Sequence, residues 1–172
     1  MKSTTRRVEL YVRSLASRTG EGPQERAIDC LRQFDTGGFV DSFTIRVWGN
    51  QIGLTSTAVE TDRGADILDR IGAFREWASR NDVSLEAFFD SRETESHLTG
   101  ESHTSLRLPV LVMAEYEGDD VAYVTPHERD DTVHTVDDRL DELGEQDIDT
   151  TERQYATPPN LSYPIYTDRR NC

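Results

Sequence analysis

The stretch of residues 105–128 constrains the fold of this chain more than any other. Residues 108–114 are apolar at every position, and a strand that is apolar on both faces belongs inside a sheet that is covered on both sides. The sequence EGDD follows at 117–120, and apolar residues resume at 121–124. A turn signal between two apolar runs predicts a β-hairpin.

The segment before this hairpin predicts a strand-helix-strand unit. Residues 6–15 alternate apolar and polar side chains, which is typical of a strand with one buried face. Pro23 suits the first position of a helix, and residues 27, 28, 31 and 34 form its apolar face. Residues 40–48 alternate again. Such crossover units place their two strands parallel to each other.

Further elements complete a predicted α+β fold. A second helix follows residue 62, with its apolar stripe at 67, 68, 71, 74, 77 and 78, and a third begins near Thr135 and ends at Gly144. Polar residues at 50–61 and 90–104 indicate loops. We therefore expect a mixed sheet of about four strands with packed helices, in the order β-α-β-α-β-β-α. We expect one domain over 6–145 and a flexible, acidic, proline-containing tail over 146–172.

The composition indicates a surface adapted to high salt. The chain holds 33 Asp and Glu against 19 Lys and Arg, for a net charge of −14, and Lys2 is its only lysine. Such a surface repels itself unless salt screens the charges. The acidity is typical of the proteins of salt-loving archaea, and it then carries little information about a partner. The alternative is an acidic protein that binds basic partners or mimics nucleic acid.

The charge is unevenly distributed along the chain. Residues 1–50 hold 8 Lys and Arg against 6 Asp and Glu, whereas residues 51–172 have a net charge of −16. The first third is therefore the only electrostatic indication of an anionic partner. Two cysteines, Cys30 and Cys172, are too few for a disulfide framework, and neither an export signal nor a membrane-spanning run is visible. We expect a cytoplasmic protein that does not associate with membranes.

Four segments resemble a family of small acidic haloarchaeal proteins that are labelled as containing a helix-turn-helix domain. They are VELYVRSL, FTIRVWG, LPVLVMAEYEGDDVAYVTPHE and TVDDRLDEL, and the resemblance runs from about Arg7 to Leu143. It implies a transcriptional regulator. A helix-turn-helix joins two helices by a short turn, whereas the predicted order places a strand between the first two helices.

Four residues of the predicted first two strands form a candidate binding surface. Tyr11, Arg13, Arg46 and Trp48 project from one face if the two strands are neighbours. Aromatic and arginine side chains on an open sheet stack bases and contact phosphates in several folds. The alternative is that a helix, a second copy of the chain or the tail covers this face. The strand that is apolar on both faces favours the covered arrangement.

No pattern in the sequence predicts catalysis, a metal site or a cofactor. His97, His103, His127 and His134 lie at spacings that match no ligand motif. The glycines lack the order of a phosphate loop, and no serine lies in a nucleophile elbow.

We therefore expect a non-enzymatic regulatory or protein-interaction module, acting as a homodimer or with another protein. The alternatives are a DNA- or RNA-binding protein that uses the N-terminal third, and a small-molecule enzyme or sensor.

Overall fold

The computed structural model describes residues 6–15, 22–54, 61–95, 100 and 102–155; for residues 94 and 147–155 the description covers the backbone only. These ranges contain three helices: α1 (Pro23–Thr36), α2 (Asp62–Arg80) and α3 (Val136–Tyr155). They also contain nine strands: β1 (Arg6–Val12), β2 (Ser42–Val47), β3 (Gln51–Gly53), β4 (Ser91–Glu95), β5 (Ser102–Arg107), β6 (Leu111–Glu117), β7 (Asp120–Thr125), β8 (His127–Arg129) and β9 (Thr132–His134). The predicted α+β class is confirmed.

A mixed sheet of four strands in the order β2-β1-β6-β7 forms the centre of the domain. The predicted crossover unit is confirmed, because β1 and β2 pair in parallel with Leu10 opposite Ile45. On its other side β1 pairs antiparallel with β6, with Leu10 opposite Met113. The predicted hairpin is β6 with β7, whose turn contains Gly118 at a φ of +65°. Glycine adopts this left-handed conformation without steric cost.

Helices cover both faces of this sheet, and two hydrophobic clusters result. On one face α1 and α3 contact each other and pack on Val8, Leu10, Val12 and Met113. On the other face α2 packs on the alternate residues, among them Tyr11, Val112 and Ala114. Successive side chains of a strand point to opposite faces, so β1 and β6 supply both clusters. The inference that β6 lies in a doubly covered sheet is confirmed.

Local sequence signals define how the three helices begin. Pro23 occupies the first turn of α1, and Glu25 accepts a hydrogen bond from the backbone N–H of Gly22. Thr61 caps α2 by accepting from the N–H of Gly64 at 3.1 Å. At α3 the side chains of Thr135 and Asp138 each accept a backbone N–H of the other residue. These interactions satisfy N–H groups that have no partner inside the helix.

Several predicted boundaries are wrong. Residues 90–104 were expected to form a loop, but they contain β4 and the start of β5, which pair with each other in a second sheet whose third strand, β3, pairs with β5. Their outward side chains are polar and exposed, so they give no hydrophobic signal. The core strand begins at Leu111, because Pro109 precedes it in an irregular segment. Helix α3 does not end at Gly144 but continues to Tyr155.

The prediction of a flexible tail falls partly outside the described residues. Residues 146–155 belong to α3, and residues 156–172 lie outside the described ranges. The expectation of one domain over 6–145 stays a prediction. No helix among the described residues combines the length and the apolar character that a membrane span needs.

Candidate functional site

An open cleft of about 720 Å³ lies beyond the carboxyl end of β1. Arg13 follows β1, Pro23 begins α1, and Val136 begins α3, so three elements of the domain end or start at the cleft. The irregular segment before β6 forms another wall. The cleft therefore lies at the edge of the sheet where β1 ends and β6 begins.

Most of the cleft's described lining is apolar. Val110 and Val133 are exposed to 55% and 47%. The other apolar residues of the lining are Pro23, Ala87, Phe88, Leu108, Pro109, Leu111, Pro126 and Val136. A concave apolar surface with a few polar groups at its edge is the general form of a ligand site.

Hydrogen bonds fix the wall made by residues 108–110. Arg13 donates from its guanidinium to the carbonyl of Leu108 at 2.8 Å, and its backbone N–H donates to the carbonyl of Val110 at 3.2 Å. Trp48 donates from its indole N–H to the carbonyl of Pro109 at 3.2 Å. Two of the four predicted binding residues therefore hold the backbone of this segment, which makes the cleft a preformed feature.

Five charged residues line the same cleft. Arg13 and Arg107 supply two positive charges, and Glu86, Asp90 and Asp137 supply three negative ones. Asp90 pairs with Arg92 at 3.1 Å, and Asp137 lies 3.8 Å from Arg26. The ion pairs that form among the described residues include neither Arg13 nor Arg107.

A buried carboxylate lies on the face of the sheet that α2 covers. Glu9 is 1% exposed and accepts hydrogen bonds from Tyr11, from Tyr116 at 3.2 Å, from Arg46 at 3.2 Å and from Arg70. Burial raises the pKa of Glu9, but the hydrogen bond from Tyr11 and the charges of Arg70 and Arg46 outweigh it, so the pKa lies below the usual value. Glu9 is therefore an ionised carboxylate with several partners.

A second, smaller cleft of about 340 Å³ lies beside β2. Its lining includes Arg46, Arg63 and Arg70 together with Asp66. Arg70 and Arg46 pair with Asp66 at 3.1 and 4.0 Å as well as with Glu9. Arg63 donates to the carbonyl of Val47 at 2.8 Å. We call this the arginine cleft.

The four predicted binding residues are divided between the two clefts. Tyr11, Arg46 and Trp48 line the arginine cleft, whereas Arg13 lines the larger one. Tyr11 and Trp48 are 1% and 4% exposed, and their ring centroids lie 4.9 Å apart in the cluster under α2. Bases could not stack on these rings without a displacement of α2. Binding at these four residues stays a prediction.

The histidines that the structure describes do not converge on a metal site. His127 and His134 pair across β8 and β9 and stack at 4.9 Å, and His103 lies in β5. His97 lies outside the described residues. No group of three or more metal-ligating side chains occurs within the described ranges.

Comparison with known proteins identifies the family. A family model described as a helix-turn-helix domain matches residues 1–148. The chain belongs to this helix-turn-helix domain family. No curated protein and no solved structure gives a significant match.

Within its described ranges, this member of the family has no two helices that are joined by a short turn. β2 and β3 lie between α1 and α2, and six strands lie between α2 and α3. A helix-turn-helix joins its helices by a short turn and places the second in the major groove. Helix α2 carries four arginines against three aspartates and one glutamate, so it is neutral. The family's name therefore indicates a role in transcription without supplying a recognition helix here.

Sequence reasoning missed the larger cleft. Residues 108–110 were assigned to the core strand, and Val133 was not considered. One signal was present, because proline is found at edges, strand starts and bulges rather than inside central strands, and Pro109 indicated that the regular strand begins later. The clustering of Val110, Val133 and Arg13 depends on tertiary contacts that no local pattern encodes.

Proposed function

We propose that this protein is a non-enzymatic regulatory module that acts in transcription and that the larger cleft is its binding site. The observation that carries the proposal is the apolar cleft of about 720 Å³ at the carboxyl end of β1. Its volume lies within the range of about 300–1,000 Å³ that is typical of ligand sites. Membership of a helix-turn-helix domain family supports the link to transcription.

The chemistry of the lining supports binding rather than catalysis. Catalytic acids and bases are usually carboxylates or histidines whose pKa values are tuned by burial and neighbours. At the edge of the cleft Asp90 pairs with Arg92 at 3.1 Å, and Asp137 lies 3.8 Å from Arg26. The remaining carboxylate, that of Glu86, is exposed. Such a site can hold a ligand, and ligand binding can then affect β1, α1 and α3, which meet at the cleft.

The proposal is tested by comparing transcript levels in cells that carry altered alleles. Val110→Asp combined with Val133→Asp places two carboxylates on the apolar wall of the cleft. Both valines are about half exposed, so the domain keeps its fold, which thermal unfolding of the purified variant checks. We expect deletion of the gene to change a defined set of transcripts and the double variant to reproduce that change.

Leu54→Asp serves as the matched control, because Leu54 is 39% exposed and does not line the larger cleft. It should leave transcript levels as in the wild type. Unchanged transcripts on deletion would contradict the role in transcription. A folded double variant that behaves as the wild type would contradict the role of the cleft.

The alternative is direct nucleic-acid binding through the arginine cleft. It is favoured by the convergence of Arg46, Arg63 and Arg70 beside the β2 edge, since arginines bind phosphate groups well. Glu9 and Asp66 offset two of these three charges. The net charge of the cluster is therefore only slightly positive, which ranks this function second.

Fluorescence anisotropy with labelled single-stranded and duplex DNA tests the alternative. Binding that weakens in the double variant Arg46→Ala with Arg63→Ala, and that weakens further with rising salt, would support it. Arg75→Ala is the control, because Arg75 lies on the exposed face of α2 and outside the arginine cleft. If neither form of DNA binds over the range of salt in which the protein is folded, this alternative is wrong.

A further inference from the structure

The apolar part of the larger cleft sets the size and character of its ligand. Val110 and Val133 face solvent although both are apolar, and they line the same cleft as the buried Leu108. Covering such surface contributes free energy in proportion to the apolar area that is removed from water. A volume of about 720 Å³ suits a small organic molecule.

The charges at the cleft favour an anionic group on that molecule. Arg13 and Arg107 line the cleft, and the ion pairs that form among the described residues include neither guanidinium. The Nε atom of Arg13 is buried and has no hydrogen-bond partner. A ligand in the cleft does not reach this buried atom, but the guanidinium has four further N–H donors, of which the carbonyl of Leu108 uses one.

The acidic residues of the cleft do not cancel this preference. Asp90 pairs with Arg92 at 3.1 Å, and Asp137 lies 3.8 Å from Arg26, which also pairs with Asp141 at 3.1 Å. The starts of α1 and α3 also lie at the cleft, but Glu25 and Asp138 already accept N–H groups there. The two arginines are therefore the groups that are left to bind an anion.

We propose that the cleft binds a small organic acid, with its apolar body against Val110 and Val133 and its carboxylate on Arg13 and Arg107. The proposal rests on the function proposed above, because it names the ligand class of the same site. Carboxylates suit this role because the arginine guanidinium matches them with two parallel hydrogen bonds. The regulatory module would then respond to the level of such an acid.

The experiment compares 4-phenylbutyrate with its uncharged amide, 4-phenylbutyramide, by isothermal titration calorimetry and ligand-observed NMR. The two probes share the apolar body and differ in charge. We expect the acid to bind about tenfold or more tightly than the amide, since hydrogen bonds to charged groups are the stronger ones. Val110→Asp should weaken the binding of both probes.

Arginine variants locate the anion. Arg107→Gln changes an exposed side chain, so the variant should keep the fold. Arg13→Gln also loses the hydrogen bond to the carbonyl of Leu108, so its fold is checked by thermal unfolding. Each variant should reduce the affinity for the acid about tenfold and leave the affinity for the amide unchanged. Arg75→Gln, outside the cleft, should change neither.

Three results would overturn the proposal: no binding of the acid at millimolar concentration, equal binding of acid and amide, or wild-type affinity for the acid in both cleft variants. The outcome is separate from that of the transcript experiment. If the valine variants change transcripts but the acid does not bind, the ligand class is wrong and the regulatory function stands. If the acid binds as expected and deletion leaves transcripts unchanged, the role in transcription is wrong.

Discussion

Glu9 shows how a charged side chain is accommodated in a strand that is covered on both faces. Its position in the alternating pattern of β1 is that of a solvent-facing residue, yet α2 covers this face and leaves it 1% exposed. A buried charge is tolerated only when it is paired and hydrogen-bonded. Tyr11, Tyr116, Arg46 and Arg70 meet that condition, and three of them are distant from Glu9 in sequence.

Glu9→Gln should lower the free energy of unfolding by about 2 kcal/mol, because hydrogen bonds to a charged group are worth about 1.5–3 kcal/mol and the amide replaces the carboxylate that accepts them. Asp66→Asn is the matched control. It also removes a carboxylate that pairs with Arg70, but Asp66 is 53% exposed, so the loss should stay below about 1 kcal/mol. Urea unfolding at constant salt measures both, and equal losses would refute the structural role given to Glu9.

His127 should make stability fall as the pH is lowered. It is 2% exposed, its Nδ1 lies 2.7 Å from the carbonyl of Val124, and His134, Arg129 and Glu142 are its charged or titratable neighbours. Burial lowers the pKa of His127 below the usual 6.5 and outweighs the opposing effect of the Val124 carbonyl. The unfolded chain therefore takes up a proton first as the pH falls through 6.5.

The stabilising contribution of neutral His127 is thus present above its unfolded pKa and is lost below it. The test compares the wild type with His127→Phe, which cannot be protonated. We expect the free energy of unfolding of the wild type to exceed that of His127→Phe by less at a pH below 6.5 than at a pH above 6.5. Parallel pH profiles for the two proteins would contradict this.

At the scale of secondary-structure elements, the helices and strands with a hydrophobic pattern were predicted, and the strands without such a pattern were not. Helix α2 combines a long apolar stripe with a threonine cap, so its type and start follow from local sequence. Strands β4 and β5 are mostly polar and exposed, and the pairing of β5 with β3 is a tertiary interaction. The continuation of α3 beyond Gly144 was missed because glycine is common at helix ends.

Replacing each of two glycines by alanine should change the free energy of unfolding in opposite directions, because the two glycines lie in different elements. Gly72 lies inside α2, and a Cβ built there meets nothing within 4 Å. Gly72→Ala should therefore raise the free energy of unfolding by about 0.5–1 kcal/mol. Gly118 occupies the β6–β7 turn at a φ of +65°, so Gly118→Ala should lower it by about 1 kcal/mol. Thermal unfolding measures both shifts, and the same sign for both would be inconsistent with these conformations.

At the scale of the whole molecule, charge determines the conditions under which this fold is stable. The net charge of −14 makes the compact chain repel itself more than the unfolded one. Raising potassium chloride from 0.1 to 1 M shortens the Debye length from about 10 to about 3 Å. We therefore expect the free energy of unfolding to rise over this range and then to level off.

Urea unfolding at several salt concentrations measures this effect. The matched variant is Asp69→Asn with Glu76→Gln, which removes two exposed carboxylates from α2. Because it carries less negative charge, its stability should respond less to salt. A response equal to that of the wild type would indicate that salt acts through water exclusion rather than through screening.

The sequence by itself determined the α+β class, the parallel crossover and the hairpin, and its apolar central strand favoured a sheet that is covered on both faces. It could do so because each depends on the periodicity of apolar residues within a short segment. The tertiary structure alone decided that Tyr11 and Trp48 are buried, that Glu9 has its partners, and that Arg13, Val110 and Val133 border one cleft. These facts join residues that are distant in the chain, and the way helices and sheets pack determines which of them meet.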